Sequence, residues 1–143
     1  MNRIFNFLFP ERQPNSTTSL LLLALRLVFG LFFLWHGIEK WIAFPTLRHH
    51  FPDPLGIGSH FSLQLTLFTE MLCSLGVIFG LLHRVALIPM IFTMCIAVFM
   101  VHAEQPFAEK ELALLYLLIF VLLFICGPGR YSVDRFIGEH RDE

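Results

Sequence analysis

Residues 19–43 read SLLLLALRLVFGLFFLWHGIEKWIA, and this run decides the fold. It is apolar except at Arg26, His36, Glu39 and Lys40. It is also longer than the roughly 20 helical residues needed to cross a hydrocarbon layer about 30 Å thick. The stretch therefore predicts a transmembrane helix that carries ionisable side chains within the membrane.

Three further apolar runs follow, at residues 61–82, 85–102 and 111–126. Residues 44–59 are rich in Pro and Gly and predict an extended loop, whereas only a tight turn joins the second and third runs. Since lipid cannot satisfy backbone polar groups, the runs must be helical. We predict an all-α fold: an integral membrane, antiparallel bundle of four transmembrane helices that forms a single domain over residues 1–143.

The composition supports a membrane protein and excludes other classes. Hydrophobic residues make up 56% of the chain, mean hydropathy is +0.70, and there are 17 Phe, which indicates that the lipid bilayer is the main solvent. A net charge of -1 gives no basis for a nucleic-acid partner. The three cysteines lie in apolar runs without Cys-x-x-Cys spacing, so neither a disulfide framework nor a zinc site is expected.

Basic residues near the ends of the runs predict the orientation. Six Arg lie on the side of the termini, against three Lys or Arg on the other side, and the positive-inside rule then places both termini in the cytoplasm. The two sets are Arg3, Arg12, Arg84, Arg130, Arg135 and Arg141 against Lys40, Arg48 and Lys110. Short apolar pieces at residues 4–8 and 133–137 are expected to lie along the inner interface.

Arg26 and Glu70 are charges at membrane depth and therefore need an explanation. Each costs about 2.5 to 3.5 kcal/mol at a helix centre on insertion scales. We predict that they pair across the first two helices, with the long guanidinium reaching upward to the carboxylate. Two roles stay open for this pair: fixing the register of the helices, or lining a polar head-group site or proton path.

A second group of polar residues lies toward the outer side. His36 and Lys40 end the first helix, His102 ends the third, and Glu111 opens the fourth, so His102 and Glu111 are expected to meet. Imidazole beside carboxylate suits proton transfer or a hydrogen bond to a quinone carbonyl. The alternative is that these residues only mark the membrane edge. No spacing here predicts a metal site.

These residues together resemble the DoxX family of small bacterial membrane proteins, in order and over about residues 20–135. The pattern consists of Arg26, Gly30, Phe33-Leu34, His36-Gly37, Lys40, Glu70, Gly80-Leu81, Arg84, His102, Glu111 and Gly127-Pro128-Gly129-Arg130-Tyr131-Ser132 with Asp134. Two departures are Cys73-Ser74, where the family often has glycines, and a Pro-Asp-Pro loop. Neither changes a charged position of the pattern.

The resemblance implies a four-helix, multi-pass protein of the bacterial cytoplasmic membrane, related to the membrane subunit of thiosulfate:quinone oxidoreductase and to oxidative-stress complexes. The expected function is a membrane subunit of a quinone-linked oxidoreductase or oxidative-stress complex. A non-catalytic scaffold or small transporter with a structural Arg/Glu pair is the alternative. No intrinsic cofactor is evident, a quinone is the expected ligand, and a redox partner and a homo-oligomer stay open. The candidate site residues are Arg26, His36, Lys40, Glu70, His102 and Glu111.

Overall fold

The computed structural model describes residues 2–9 and 14–140, and within those ranges the chain forms helices and no strands. The prediction of an all-α fold is confirmed. The helices are α1 (Asn2–Leu8), α2 (Ser16–Ile42), α3 (Phe44–Leu47), α4 (Ser59–Phe79), α5 (His83–Val101), α6 (Phe107–Cys126) and α7 (Val133–Glu139).

Three of these helices, α2, α4 and α5, are long and apolar enough to cross a membrane, with mean hydropathies of 2.1, 1.5 and 2.2. Helix α6 has 20 residues and a strongly apolar second half, but Glu109, Lys110 and Glu111 fall in its first two turns. Among the described residues, three helices are therefore long and apolar enough to cross a membrane, and α6 is not one of them.

Local chemistry explains where the helices begin and end. Helix α2 begins at Ser16 because the Asn15 side chain accepts a hydrogen bond from the Thr18 amide at 2.8 Å. Helix α4 ends at Phe79, three residues before the predicted end of the second run, because Gly80 takes a left-handed conformation with φ of 66°. Helix α6 starts four residues before its prediction, directly after Pro106.

Two glycines of α2 bring α4 close and fix the register of the two helices. Gly30 lies against Ile78 and Ser74, whereas Gly37 lies against Glu70 and Met71. The two helices are antiparallel, since later residues of α2 meet earlier residues of α4. Behind this seam, buried side chains of all four long helices form one core, which includes Phe33, Val77, Leu87, Met90 and Phe120.

The bundle has two ends, which we name by the segments that they carry. The proximal end carries α1, α7 and the turn between α4 and α5; Arg84 there lies over the Phe7 ring at 4.4 Å. The apolar pieces predicted near the termini are thus short helices. The distal end carries α3, the loop after it and the turn between α5 and α6.

The segment predicted as an extended loop contains the short helix α3 and a fold of the chain around Asp53. The Asp53 carboxylate accepts hydrogen bonds from the Ile57 amide at 2.9 Å, the Gly58 amide at 2.7 Å and the Ser62 hydroxyl at 2.9 Å. The bond from Gly58 is the largest influence that lowers the pKa of Asp53. The loop is thereby tied to the first turn of α4.

Candidate functional site

Arg26 lies at the proximal end, almost fully buried, with 1% of its surface exposed. Its guanidinium donates to the carbonyls of Val77 and Ile78, both at 2.9 Å, where α4 ends. It also donates to the carbonyls of Pro128 and Tyr131, both at 2.8 Å, in the segment before α7. All three guanidinium nitrogens are thus used on backbone oxygens, and none contacts Glu70.

The predicted pairing of Arg26 with Glu70 is therefore wrong, and the register of the helices gives the reason. Gly37 is level with Glu70, and Arg26 precedes Gly37 by eleven residues, which is about 16 Å along a helix. A guanidinium cannot reach that far. The backbone carbonyls at the end of α4 that accept from Arg26 could not be recognised as its partners from the sequence.

Asp134 completes this proximal cluster, and nothing in the sequence predicted its partners. Its carboxylate is fully buried and accepts hydrogen bonds from the amides of Leu82 at 2.7 Å and His83 at 2.8 Å, at the start of α5. Desolvation raises the pKa of Asp134, opposed by those two amides and by the nearby charge of Arg26. Helix α5 is thus capped by a residue from the far end of the chain.

Glycine at position 80 makes the cluster possible. A Cβ at this position would lie 2.7 Å from Nη2 of Arg26 and 2.5 Å from the Cβ of Ser132. The left-handed backbone at Gly80 and this close approach both require glycine. The Gly80 carbonyl also accepts from the Asp134 amide at 2.9 Å, which fixes α7 against the turn.

Glu70 has a different partner, Lys40, nearer the distal end. The Lys40 ammonium donates to both carboxylate oxygens of Glu70, at 2.9 and 2.8 Å. The Glu70 side chain is 6% exposed and that of Lys40 is 26% exposed. The pair therefore lies between α2 and α4 with only its cationic end open.

The backbone around Glu70 departs from regular α-helix. Residues Phe68–Cys73 form a π-helical stretch within α4, and Ala97–Val101 form a second one at the end of α5. Such stretches are rare and are found frequently at functional sites. Glu70 of the Lys40–Glu70 pair therefore lies at a local departure from regular α-helix.

Tyr116 of α6 lies on the core side of the pair. It is 4% exposed, and its ring contacts those of Phe33 at 5.2 Å and His36 at 6.0 Å between centroids. Among the described residues, its hydroxyl has no hydrogen-bond partner. Tyr116 is one of two Tyr in the sequence and lies inside an apolar run. That position could have marked it as a candidate site residue.

Of the predicted site residues, His36, Lys40 and Glu70 lie in one region, and the others lie elsewhere. His102 does not meet Glu111: its Nδ1 is 2.6 Å from Oε1 of Gln105, and Glu111 is exposed on α6. Within the part of the chain that the structure describes, no three His, Cys, Asp or Glu side chains could hold a metal ion.

An open apolar groove of about 860 Å³ lies at the distal end. It lies between the end of α2, α3 and the first half of α4. Its lining includes Trp41, Phe44, Gln64, Phe68, Met71 and Leu72. Two of these residues directly follow members of the ion pair, since Trp41 follows Lys40 and Met71 follows Glu70.

The fold and the two buried clusters define a class: an all-helical membrane protein with charged groups enclosed between its membrane-capable helices. Comparison with known families agrees. The chain belongs to the DoxX family, whose profile matches residues 21–103.

Two relatives extend the similarity over most of the chain. An uncharacterized membrane protein of Mycobacterium tuberculosis is 33% identical over 138 residues, covering 79% of this chain and 78% of the relative. An uncharacterized protein of Haemophilus influenzae is 26% identical over 124 residues, covering 81% and 82%. No solved structure is significantly similar to the chain.

Proposed function

We propose that this protein is the membrane subunit of a quinone-linked oxidoreductase or oxidative-stress complex, and that Lys40 and Glu70 bind the quinone head. The observation that carries the proposal is the half-open Lys40–Glu70 pair at the π-helical stretch of α4. The carboxylate of this pair is enclosed, whereas the Lys40 side chain is 26% exposed, so its cation is accessible.

The hydrogen-bonding capacity of the region suits a ligand that presents carbonyl oxygens. An ammonium has three N–H donors, and Lys40 uses two of them on Glu70, so one is free for an acceptor. The Tyr116 hydroxyl is a second free donor. A quinone head offers two carbonyl acceptors and an apolar ring, which matches free donors in apolar surroundings.

The redox centre that exchanges electrons with the quinone would belong to a partner protein, soluble or membrane-bound. Glu70 and His36 are proton-carrying groups near the proposed head site. They would accept or supply the protons that accompany quinone reduction and oxidation.

We further propose that α6 is a fourth membrane crossing and that the termini face the cytoplasm. Residues 112–126 contain no charged side chain, and the charged residues before them would lie at the distal interface. Arg84 contacts Phe7 and Arg130 contacts Ser16, so these Arg side chains gather at the proximal end with the described Arg3 and Arg135. Arg12 and Arg141 lie outside the described residues. This end would face the cytoplasm of a bacterial inner membrane.

Arg26 supports a second candidate, a non-catalytic scaffold or small transporter. Four of its five N–H donors are used on backbone carbonyls, which supports a structural role. If Lys40 and Glu70 were equally structural, nothing in the bundle would require a quinone. The two candidates therefore differ in what the Lys40–Glu70 pair does.

Extraction of quinone from purified protein tests the proposal. Protein isolated in mild detergent should carry quinone, and Lys40→Met should remove it. Tyr116→Phe should lower the occupancy roughly five-fold, as expected for one lost hydrogen bond. The matched control is Lys110→Met, because Lys110 is a distal lysine that donates only to the Ala103 carbonyl.

The exchanged pair, Lys40→Glu with Glu70→Lys, separates the two candidates. The quinone proposal expects folded protein with little quinone, since the ammonium then sits at the buried position. The scaffold candidate expects full recovery of whatever function is measured. Wild-type protein with no more quinone than Lys40→Met would refute the quinone proposal.

A further inference from the structure

Glu70 is preceded by a buried threonine that the proposed function does not use. Thr69 is 4% exposed, and its hydroxyl donates to the Thr66 carbonyl at 2.9 Å. We propose that Thr69 and Thr93 are positioning residues, which direct the Glu70 carboxylate toward α2. The ion pair with Lys40 depends on them. This inference rests on the proposed function, because it concerns the same ion pair, and adds the two hydroxyls that hold it.

A contact between two hydroxyls joins this part of α4 to α5. The Thr93 hydroxyl donates to Oγ1 of Thr69 at 3.3 Å. Since Thr69 donates its own proton to the Thr66 carbonyl, its oxygen acts toward Thr93 as an acceptor. Among the described residues, no other side-chain hydrogen bond joins α4 to α5. The contact is therefore the polar link that fixes the rotation of α4 against α5.

The direction of Thr69 determines the direction of Glu70. Neighbouring side chains on an α-helix point about 100° apart. Thr69 points toward α5, whereas Glu70 points toward α2, where its Cβ lies 3.0 Å from the position of a Cβ at Gly37. Holding Thr69 against α5 therefore also holds the Glu70 carboxylate on the side of α2, within reach of Lys40.

The contact with α5 distinguishes Thr69 from the other threonine of α4. A hydroxyl that bonds to a carbonyl one turn back competes with helical hydrogen bonds and often bends the helix. Thr66 makes such a bond to the Ser62 carbonyl at 2.9 Å, yet it lies in the regular part of α4. Thr69 lies in the π-helical stretch Phe68–Cys73. A bond within the helix is therefore not sufficient for this geometry, and we assign its support to the link with Thr93.

A small rotation of this turn would break the ion pair. Side chains extend to about 5 Å from a helix axis, so a rotation of about 30° moves a carboxylate by about 3 Å. The two hydrogen bonds from Lys40 to Glu70 are 2.9 and 2.8 Å long, and neither would survive that shift. The third N–H of Lys40, which the proposed function assigns to a quinone, would then no longer be held in place.

Four single substitutions in the full-length protein test the inference. Thr69→Val and Thr93→Val each remove a hydroxyl with little change of shape, whereas Thr69→Ser keeps the hydroxyl. Thr66→Val is the matched control, because Thr66 lies on the same helix and its hydroxyl donates to a carbonyl of that helix. In each background, a double-mutant cycle of Lys40→Met with Glu70→Gln measures the coupling in the free energy of unfolding. Extraction measures the quinone content.

We expect Thr69→Val to lower the coupling between Lys40 and Glu70 by at least half and the quinone content roughly five-fold. Thr93→Val should act in the same direction, and Thr69→Ser and Thr66→Val should keep both quantities. A simple loss of stability would leave the coupling unchanged, so the cycle separates positioning from a general structural role.

Unchanged coupling in Thr69→Val would refute the positioning role, whatever the quinone content. An equal loss in Thr66→Val would also refute it, because the effect would then be a general loosening of α4. Unchanged coupling in Thr93→Val would refute the part assigned to α5. Reduced coupling in Thr69→Val, in a protein whose wild type carries no quinone, would support the positioning role and refute the proposed function.

Discussion

Replacing Arg26 by Met should destabilise the protein more than any other single substitution at the proximal end. The change keeps the length and apolar stem of the side chain but removes all four hydrogen bonds to carbonyls. Hydrogen bonds within membranes contribute on average about 0.6 kcal/mol, and those to charged groups up to about 3. Since Tyr131 is exposed and its carbonyl can regain water, whereas Pro128 is buried, we expect a loss of about 4 kcal/mol.

The unfolding free energy can be measured in mixed micelles with increasing dodecyl sulfate, followed by tryptophan fluorescence. Arg26→Lys should lose only about half as much unfolding free energy as Arg26→Met. One ammonium can reach carbonyls on α4 or on the segment before α7, but not on both. Arg48→Met, at the exposed distal loop, is the control and should change stability by less than about 0.5 kcal/mol.

A double-mutant cycle makes the test decisive. Arg26→Met and Glu70→Gln should be additive, because the two residues share no contact, whereas Lys40→Met and Glu70→Gln should be coupled. A loss below about 1 kcal/mol for Arg26→Met, or a coupling above about 1 kcal/mol between Arg26 and Glu70, would refute the reasoning.

Three further predictions concern the distal half. Lys40→Met should cost about 3 kcal/mol in the same unfolding assay, because it leaves Glu70 unpaired. The exchange of Lys40→Glu with Glu70→Lys should recover at least half of that loss. No recovery would count against a direct ion pair. Gly37→Ala should cost about 1 to 3 kcal/mol, because its Cβ would lie 3.0 Å from the Cβ and 3.1 Å from the backbone carbon of Glu70. A cost below about 0.5 kcal/mol would contradict the packing. Since the pKa of Asp53 is lowered in the fold, the stability that it contributes is present above its unfolded value of about 3.9 and is lost as pH falls through the folded value. Hydrogen-exchange protection of the loop amides bonded to Asp53 should therefore fall as pH drops below about 3.9, and Asp53→Asn should abolish this dependence. An unchanged profile would exclude that role.

The sequence was sufficient to predict the helices because hydrophobic length is a local property. The length of an apolar run and a Gly-Pro-Gly sequence after it can each be read from one short segment. The requirement for helix in lipid also applies to each segment separately. The predicted ends differ from the observed ones mainly where side chains act, as at Asn15 and at Gly80. The short helix α3 was missed because Pro45 is compatible with a first helical turn, and its Pro- and Gly-rich surroundings indicated a loop.

The candidate site was predicted less well because partners depend on register, which a single sequence does not specify. When the depth of each residue in the membrane is counted from the end of its own hydrophobic run, Arg26 and Glu70 are predicted to lie near each other. In the fold, the contacts of Gly30 and Gly37 set the alignment and pair Glu70 with Lys40 instead. Asp134 was included in the family pattern but given no partner, because it follows the last run and resembles an ordinary helix-start residue.

The partners of Arg26 also impose an order on synthesis. The arginine enters the membrane early, but the carbonyls of Val77 and Ile78 are made about 50 residues later, and those of Pro128 and Tyr131 about 100 residues later. A growing chain must carry this charge through the insertion machinery before any of its acceptors exist. A chain cut short before residue 128 lacks the acceptors for two of the four hydrogen bonds that Arg26 makes. The Arg26 part of the proximal cluster is therefore completed only when residues 128–131 are in place, at the end opposite the proposed ligand site.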